Sequence, residues 1–233
     1  MDNKKEKRGE KAMTKNYIFL GRPGSGKGTY STKVAKELNI PHISTGDIFR
    51  ENIKQQTELG KKIQELVKEG KLVPDGIVNE IAKNRLEQED CKEGFILDGY
   101  PRTIQQAETL DTYKKIDKVL NIDVPEEVII RRITTRRVCK NCGAVYNILT
   151  LKPKQEGICD KCGGELYQRP DDTEEAVKIR LQEYENLTQP LIKYYEEKGI
   201  LRTVKYDKSM IPEGEMDIPI EVMLQKILDI LKQ

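Results

Sequence analysis

Residues 21–29 read GRPGSGKGT and directly follow the apolar run YIFL at 17–20. A glycine-rich loop between a strand and a helix lets backbone N–H groups point into one concavity, where the helix N-terminus adds partial positive charge. The loop departs from the G-x-x-x-x-G-K-[ST] pattern, because Gly28 follows Lys27 and the hydroxyl comes one residue later. We interpret it as a phosphate cradle for a nucleotide, in preference to a plain glycine-rich turn.

Short apolar runs alternate with helical patterns on both sides of this loop, as in IPHIS, GFILDG, KVLNIDV and PEEVIIRRI. This alternation favours a parallel sheet covered by helices on both faces. We therefore predict a three-layer α/β/α core with a five-stranded parallel sheet, interrupted by a small module. After the module, the pattern predicts a long helix over 173–198, the fifth strand over 201–206 and a last helix over 217–231.

Composition limits the classes of function. The 233 residues carry 41 Lys and Arg against 39 Asp and Glu, a net charge of +2 that creates no global field for nucleic acid or an anionic membrane. No apolar run approaches the ~18 residues of a membrane span. Residues 1–12 are polar without an apolar signal-peptide core, so we expect a disordered extension or expression remnant and a cytoplasmic protein.

Four of the five cysteines form two pairs. Cys139-x-x-Cys142 and Cys159-x-x-Cys162 are each followed by glycine, the spacing of a tetrahedral thiolate zinc site. Two disulfides or a redox pair are alternatives that a reducing compartment disfavours. Four protein sulfurs leave no open metal position, so we expect structural Zn²⁺, although Fe²⁺ or Co²⁺ fits the same thiolates.

The order of six motifs, GRPGSGKGT, STGDIFR, GKLVPDG, DGYPRT, RRITTRR and RPDDTEEAVKIR, resembles that of adenylate kinases from about Met13 to the C-terminus. The resemblance implies a Mg²⁺-dependent enzyme that reversibly transfers the terminal phosphoryl group of ATP to AMP, giving two ADP. It also implies three parts: a core over 13–43, 74–135 and 173–233, a helical AMP-binding flap over 44–73, and a zinc-bearing lid over 136–172. We expect a monomer.

The resemblance further assigns site residues. Phosphoryl transfer needs several cations around one point, and guanidinium forks suit phosphate oxygens. The arginines that match family positions are Arg50, Arg102, Arg132, Arg136, Arg169 and Arg180, of which all but Arg50 are expected, with Lys27, to be catalytic. The AMP site is expected to comprise Thr45, Arg50, Lys71, Leu72, Val73, Gly99, Tyr100, Pro101, Arg102, Gln106, Arg169 and Arg180.

The ATP site is expected to comprise Gly24, Ser25, Gly26, Lys27, Gly28, Thr29, Arg132, Arg136, Val145, Tyr146 and Lys208. Tyr146 has a second interpretation, packing inside the lid. Lys208 would contribute a backbone carbonyl to the base, although SMIPEGEMD after it departs from the family pattern. Asp98 is expected to hold Mg²⁺ through water, with a helix N-cap as the alternative. His42 is expected to pack, and Cys91 to be a free thiol.

Two rival functions remain. A nucleoside monophosphate kinase could use GTP as donor or UMP or CMP as acceptor, although Thr45 with Gln106 favours AMP. A zinc-ribbon nucleic-acid binder is the rival from another class, suggested by lysines around the cysteines. Its case is weakened by the absence of aromatic and basic interleaving in the sequence.

Overall fold

The computed structural model describes residues 15–232, so the prediction for residues 1–12 lies outside the described part. Five parallel strands form the central sheet, in the order β2-β3-β1-β4-β8. The strands of this sheet are β1 (Lys15–Leu20), β2 (His42–Ser44), β3 (Gly94–Asp98), β4 (Lys118–Asp123) and β8 (Leu201–Lys205). The predicted three-layer fold with a five-stranded parallel sheet is confirmed.

Helices cover both faces of the sheet. They are α1 (Lys27–Leu38), α2 (Thr45–Lys54), α3 (Glu58–Glu69), α4 (Asp75–Leu86), α5 (Ile104–Asp111), α6 (Glu126–Thr134), α7 (Glu174–Glu183), α8 (Pro190–Glu197) and α9 (Ile220–Lys232). Successive strand residues point to opposite faces. Accordingly, Phe19 of β1 packs in one apolar cluster and its neighbours Ile18 and Leu20 in the other. Burial on both faces explains why the run YIFL is continuously apolar.

The central position of β1 determines where the site lies. Its neighbours β3 and β4 connect to opposite sides, so the strand order changes direction around β1. In open α/β sheets, ligands bind outside the carboxyl ends of the strands at such a switch point. The loop after β1, Ser44 at the end of β2 and Asp98 at the end of β3 all lie at this edge.

The cysteine-rich module is a separate antiparallel sheet with the order β6-β5-β7. Its strands are β5 (Arg136–Cys139), β6 (Val145–Asn147) and β7 (Leu166–Tyr167). The apolar core of the module is small: Cys139, Tyr146 and Cys159 are its buried members. So little buried apolar surface is a weak source of stability for the module by itself.

The single helix predicted over 173–198 is wrong in one respect. α7 ends at Glu183, a π-helical turn spans Tyr184–Thr188, and α8 begins at Pro190. Proline has no N–H to donate and its ring clashes with the carbonyl four residues earlier, so a regular α-helix does not pass through Pro190. The wide turn accommodates the proline, and the N–H of Gln189 donates to the carbonyl of Tyr184 at 2.7 Å.

Across residues 15–232, no helix combines the length and the apolar character that crossing a bilayer would require.

Candidate active site and metal centre

The glycine-rich loop ends where α1 begins, with Lys27 as its first helical residue. The Nζ of Lys27 lies 3.3 Å from the carbonyl oxygen of Arg22, so the lysine folds back over the loop. Gly28, the departure from the common pattern, has a steric reason. A Cβ there would lie 3.1 Å from Oδ2 of Asp98, so glycine lets the end of β3 approach the cradle closely.

A cavity of about 290 Å³ opens over the cradle, and we call it the phosphate cavity. Its lining brings together seven cations from distant parts of the chain: Lys27, Arg50, Arg102, Arg132, Arg136, Arg169 and Arg180. It borders a wider cleft of about 1400 Å³ between α2, α3 and the cysteine module. Concentrating this much positive charge in one cavity is unfavourable without an anion, which makes polyphosphate the natural occupant.

The arginines differ in how far protein carboxylates neutralise them. Arg136 donates from Nε and a terminal nitrogen to the buried Asp172. Arg180 donates to Asp171 at 3.0 Å, and Arg50 to Asp47 at 2.5 Å. These acids were not predicted, although their positions in RPDD and STGD place them beside the arginine motifs.

Three of the seven cations that line the phosphate cavity have no carboxylate hydrogen-bond partner within residues 15–232. Arg102 donates from Nε to the carbonyl of Gly99 at 2.8 Å. Arg169 buries its Nε without a partner, and Lys27 contacts only a carbonyl. Burial, together with the charges of Arg50 and Arg136, lowers the pKa of Arg169 to about 10. Unpaired buried donors of this kind are costly unless a ligand satisfies them.

The pKa of the Lys27 amine depends on burial and on the charges around it. Burial lowers its pKa to about 8, and the charges of Arg102, Arg180 and Arg136 add to the effect, while Asp98 opposes it. A phosphate group in the cavity would reverse this balance, because an adjacent negative charge favours the protonated amine.

Asp98 stays ionised at the end of β3. Burial raises the pKa of its carboxyl, but the hydrogen bond from His42 and the charge of Lys27 outweigh burial, so the pKa lies below its ordinary value. His42 was predicted to pack only. Its Nε2 lies 3.4 Å from Oδ2 of Asp98 and 2.9 Å from Oγ of Ser31, so it also holds the carboxylate.

Several predicted AMP-site residues lie outside the cavity lining: Thr45, Lys71, Leu72, Val73, Tyr100, Pro101 and Gln106. The buried side chain of Gln106 links two segments, since its Oε1 accepts from the N–H of Arg102 at 2.7 Å and its Nε2 donates to Asp75 at 2.7 Å. The side chain of Gln106 is only 1% exposed, so its contact with a base edge stays a prediction. Asp75 was not predicted, although it follows GKLVP as the first residue of α4.

The predicted donor side is partly assembled. Gly24, Gly26, Gly28 and Thr29 line the phosphate cavity, as do Val145 and Tyr146, whereas Ser25 is fully buried. Lys208 lines neither cavity, and its carbonyl accepts the N–H of Ile211 at 3.1 Å. Ile218 and Ile220, just before and at the start of α9, line the phosphate cavity instead. The sequence signal for them was only their apolar character.

The four cysteines of the module converge as their spacing predicts. Their sulfurs all lie within 4.8 Å of one another, with 3.4 Å between Cys139 and Cys162 and 3.6 Å between Cys142 and Cys159. A Zn²⁺ ion with four Zn–S bonds of ~2.3 Å at tetrahedral angles requires S···S separations of about 3.8 Å. All four thiols are free, so the disulfide alternative does not describe this structure.

At Cys159, hydrogen-bond donors around the sulfur favour the thiolate form that binds a metal. Burial raises the pKa of Cys159, but hydrogen bonds from the Tyr146 hydroxyl and from the backbone N–H groups of Lys161 and Cys162 lower it to about 6. Gly143 and Gly163 adopt φ of +70°, which closes the tight turn after each cysteine pair. The donor set and its geometry fit Zn²⁺ in a structural role, because no position is left for substrate. Asp98 offers the oxygen chemistry that Mg²⁺ prefers.

Comparison with known proteins agrees with this geometry. The adenylate kinase family model matches residues 19–200. An adenylate kinase from Caldicellulosiruptor bescii is 56% identical over 206 residues, which cover 86% of this chain and 95% of the relative. Adenylate kinases from Archaeoglobus fulgidus and Thermosipho africanus are 54% and 48% identical, covering 91% and 94% of this chain and 99% and 100% of those relatives.

A phosphate cradle at the switch point of a parallel sheet, facing converging arginines, defines a P-loop phosphotransferase that acts on nucleotides. The resemblance in sequence motifs is confirmed at the level of the family. The chain belongs to the adenylate kinase family, whose reaction is the transfer of a phosphoryl group from ATP to AMP, with Mg²⁺ accompanying the ATP. The cysteine cluster is consistent with the zinc-bearing form of the family.

Proposed function

We propose that the phosphate cavity is where the terminal phosphoryl group of ATP passes reversibly to AMP, and that the residues assigned from sequence divide between the two nucleotides. The observation that supports this division most strongly is the convergence of Lys27 and six arginines on one cavity. The transferred group spreads negative charge over its oxygens in the transition state, so fixed cations stabilise it more than they stabilise the ground state.

The donor side comprises the cradle, Arg132, Arg136 and the module residues Val145 and Tyr146. Lys27 is proposed to hold the outer phosphates, with Asp98 orienting Mg²⁺ through its waters. The metal supplies charge neutralisation between the phosphates when bound. Among the residues proposed for the donor side, Lys208 has the least structural support, because it does not line the phosphate cavity. Ile218 does line it.

The acceptor side comprises Arg50, Arg102, Arg169 and Arg180 on the phosphate, with Thr45 and Gln106 towards the base. Arg102 and Arg169 have donors that no carboxylate occupies in the described chain, which suits them to the incoming phosphate. None of the groups on the cavity needs to act as a general base, since transfer between two phosphates depends mainly on alignment and charge.

Two moving parts are proposed to close over the core and exclude water: a flap over 44–73 and a lid over 136–172. A contact already joins the flap and the lid, since Nζ of Lys54 lies 3.5 Å from the carbonyl oxygen of Lys140. Closure over both nucleotides would keep ATP from hydrolysis when AMP is absent. A monomer in the cytoplasm is also part of the proposal.

The decisive experiment measures ADP formation across four nucleoside triphosphates and four monophosphates. We expect the highest kcat/KM for ATP with AMP, and ATP hydrolysis without AMP slower by at least about a thousandfold. A much faster reaction with UMP or CMP would contradict the acceptor assignment. A faster reaction with GTP would contradict the donor assignment alone.

A further inference from the structure

The π-helical turn at Tyr184–Thr188 carries a small polar side chain on the buried face of its helix. The buried residues that recur at helical spacing on this face are Val177, Leu181, Tyr184, Thr188, Leu191 and Tyr195. An apolar residue would continue the face at Thr188, and a buried hydroxyl is unfavourable unless it is hydrogen-bonded. Turns of this kind often lie at functional sites. The partner of the Thr188 hydroxyl is therefore informative.

The hydroxyl of Thr188 donates to the carbonyl oxygen of Arg102 at 2.8 Å. A threonine inside a helix more often bonds to the carbonyl four residues earlier. Here that carbonyl belongs to Tyr184, and it accepts the N–H of Gln189 at 2.7 Å in the π-helical turn. Because a hydroxyl has one hydrogen, the donor of Thr188 is used on a residue 86 positions away in the chain.

The contact with Thr188 completes a set of three hydrogen bonds that hold Arg102. The backbone N–H of Arg102 donates to Oε1 of Gln106 at 2.7 Å, and its Nε donates to the carbonyl of Gly99 at 2.8 Å. With Thr188 on the carbonyl, the residue is held through both sides of its backbone. The terminal nitrogens of Arg102 make no hydrogen bond within residues 15–232, which leaves them for phosphate oxygens.

The same turn also reaches the phosphate cradle. Oε1 of Glu185 lies 3.7 Å from a terminal nitrogen of Arg22, the second residue of the cradle. The carbonyl oxygen of Arg22 lies 3.3 Å from Nζ of Lys27 and accepts the N–H of Ser25 at 3.1 Å. A displacement of Arg22 would therefore be passed to Lys27 through the loop.

One helical turn thus contacts the segments that carry Lys27 and Arg102, two of the three cations that no carboxylate partner neutralises in the described chain. Residues 184–188 line neither the phosphate cavity nor the wider cleft. The proposed function places Lys27 on the donor side and Arg102 on the acceptor side of the transferred group. The separation of these two cations matters because a displacement of about 1 Å can cost about a hundredfold in rate.

We propose that the π-helical turn is an alignment element for phosphoryl transfer. Thr188 and Glu185 are positioning residues that hold the acceptor arginine and the donor cradle at a fixed separation, and neither touches a nucleotide. The inference rests on the proposed catalytic roles of Lys27 and Arg102. It predicts a loss of transfer rate without a matching loss of affinity for either nucleotide, because the groups that bind the phosphates all remain.

The test measures the rate of transfer in a single turnover of the full-length enzyme, because product release can limit kcat. Thr188→Val keeps the shape and removes the hydroxyl, so the rate should fall about tenfold while the affinities for ATP and AMP, each titrated alone, change less than about twofold. Thr188→Ser keeps the hydroxyl and should keep the rate within about twofold of the unmodified enzyme. Thr112→Val is the matched control, since its hydroxyl donates to the carbonyl of Thr109 at 2.7 Å outside both cavities. It should change neither rate nor affinity.

Glu185→Gln tests the contact with the cradle and decides the question if Thr188→Val does not fold. The position is exposed, so the fold should be retained, and loss of a partly exposed ion pair should lower the transfer rate about threefold. Glu197→Gln is its control, because Glu197 makes a similar exposed ion pair with Lys193 at 3.8 Å. The inference is overturned if either test variant matches its control, or if Thr188→Val acts only by weakening AMP binding.

Arg102→Met tests the assignment on which the inference rests. We expect the transfer rate to fall about a hundredfold or more. If this fall occurs and the variants of the π-helical turn leave the rate unchanged, the inference alone fails. If Arg102→Met keeps its transfer rate, the catalytic assignment of Arg102 fails, and the inference fails with it.

Discussion

The hydroxyl oxygen of Tyr146 lies 3.5 Å from Sγ of Cys159, so a side chain on the wall of the phosphate cavity also contacts a predicted metal ligand. The same hydroxyl accepts the backbone N–H of Asp160 at 2.8 Å, which leaves its own hydrogen free to point at the sulfur. The interpretation of Tyr146 as a core residue of the module is therefore supported, whereas its contact with ATP stays a prediction. Tyr146 packs the core of the module and also borders the cavity.

Tyr146→Phe should weaken metal binding. The ring is retained, but the thiolate of Cys159 loses a hydrogen bond from outside the metal's coordination shell, and losses of this kind typically reduce metal affinity about 10–100-fold. The measurement is zinc release to a competing chelator, followed by a colorimetric indicator. Tyr194→Phe, which removes a hydroxyl far from the cysteines, should release zinc like the unmodified protein. Equal release from both variants would contradict the role of the hydroxyl.

Cys142→Ser should lower the thermal midpoint more than it lowers the rate. Three remaining sulfurs hold Zn²⁺ poorly, and the small apolar core of the module cannot compensate, so we expect Tm to fall by more than about 5 °C. The rate at moderate temperature should fall less than about threefold, because the cysteines do not line the transfer site itself. Cys91→Ser removes the buried cysteine outside the cluster and should leave the zinc content unchanged. An unchanged Tm in Cys142→Ser would count against a structural metal.

The sequence predicts the parts of the fold that depend on local pattern. Each of these parts follows from the spacing of residues that are close together in the sequence. They are the cradle, the order of strands and helices, and the four-cysteine cluster. The π-helical turn before Pro190 does not follow from such spacing, because the apolar period continues across it and only the proline signals the change.

The carboxylates that hold the arginines were also missed. Asp217 lies 85 residues from Arg132, and no local rule connects an acid in an irregular segment to a distant cation. Asp172, by contrast, stands in the same motif as Arg169 but binds Arg136. Tertiary structure decides such pairings, since a carboxylate can neutralise whichever guanidinium the fold brings to it.

Lys27→Ala should abolish turnover while the protein stays folded. The lysine contributes one carbonyl contact to the folded chain, and burial makes its charge unfavourable there, so Tm should stay equal or rise slightly. Loss of a cation aimed at the transferred group should cost about a thousandfold or more in kcat. Circular dichroism and a coupled ADP assay measure the two effects. A residual rate above a few per cent would contradict the assigned role.

Affinity for ATP should fall as the pH rises through about 8. The pKa of Lys27 is lowered to about 8 in the free protein, mainly by burial, and a bound phosphate raises it. Below this pH the amine is already protonated, whereas above it ATP binding must take up a proton, so affinity should be about tenfold weaker at pH 9 than at pH 7. Titration calorimetry in buffers of different ionisation enthalpy detects the uptake. Lys27→Gln should bind weakly with little pH dependence, and proton release instead of uptake would contradict the assignment.

Arg169→Met should stabilise the free protein while disabling the enzyme. The Nε of Arg169 is buried without a hydrogen-bond partner among residues 15–232, and the guanidinium faces the charges of Arg50 and Arg136. The folded chain is therefore less stable with this side chain than without it. Removing the charge should contribute about 1 kcal/mol, or about 2–4 °C in Tm, whereas kcat should fall about a hundredfold or more because the phosphate loses a donor. Arg202→Met, at an exposed position on β8, is the control and should alter neither quantity.

Adding a bisubstrate mimic, two adenosines joined by a polyphosphate, should reverse the order of Tm, because only the arginine form gains the phosphate contact. A lower Tm for the free Arg169→Met protein would show that Arg169 supports the fold and is not held ready for an anion.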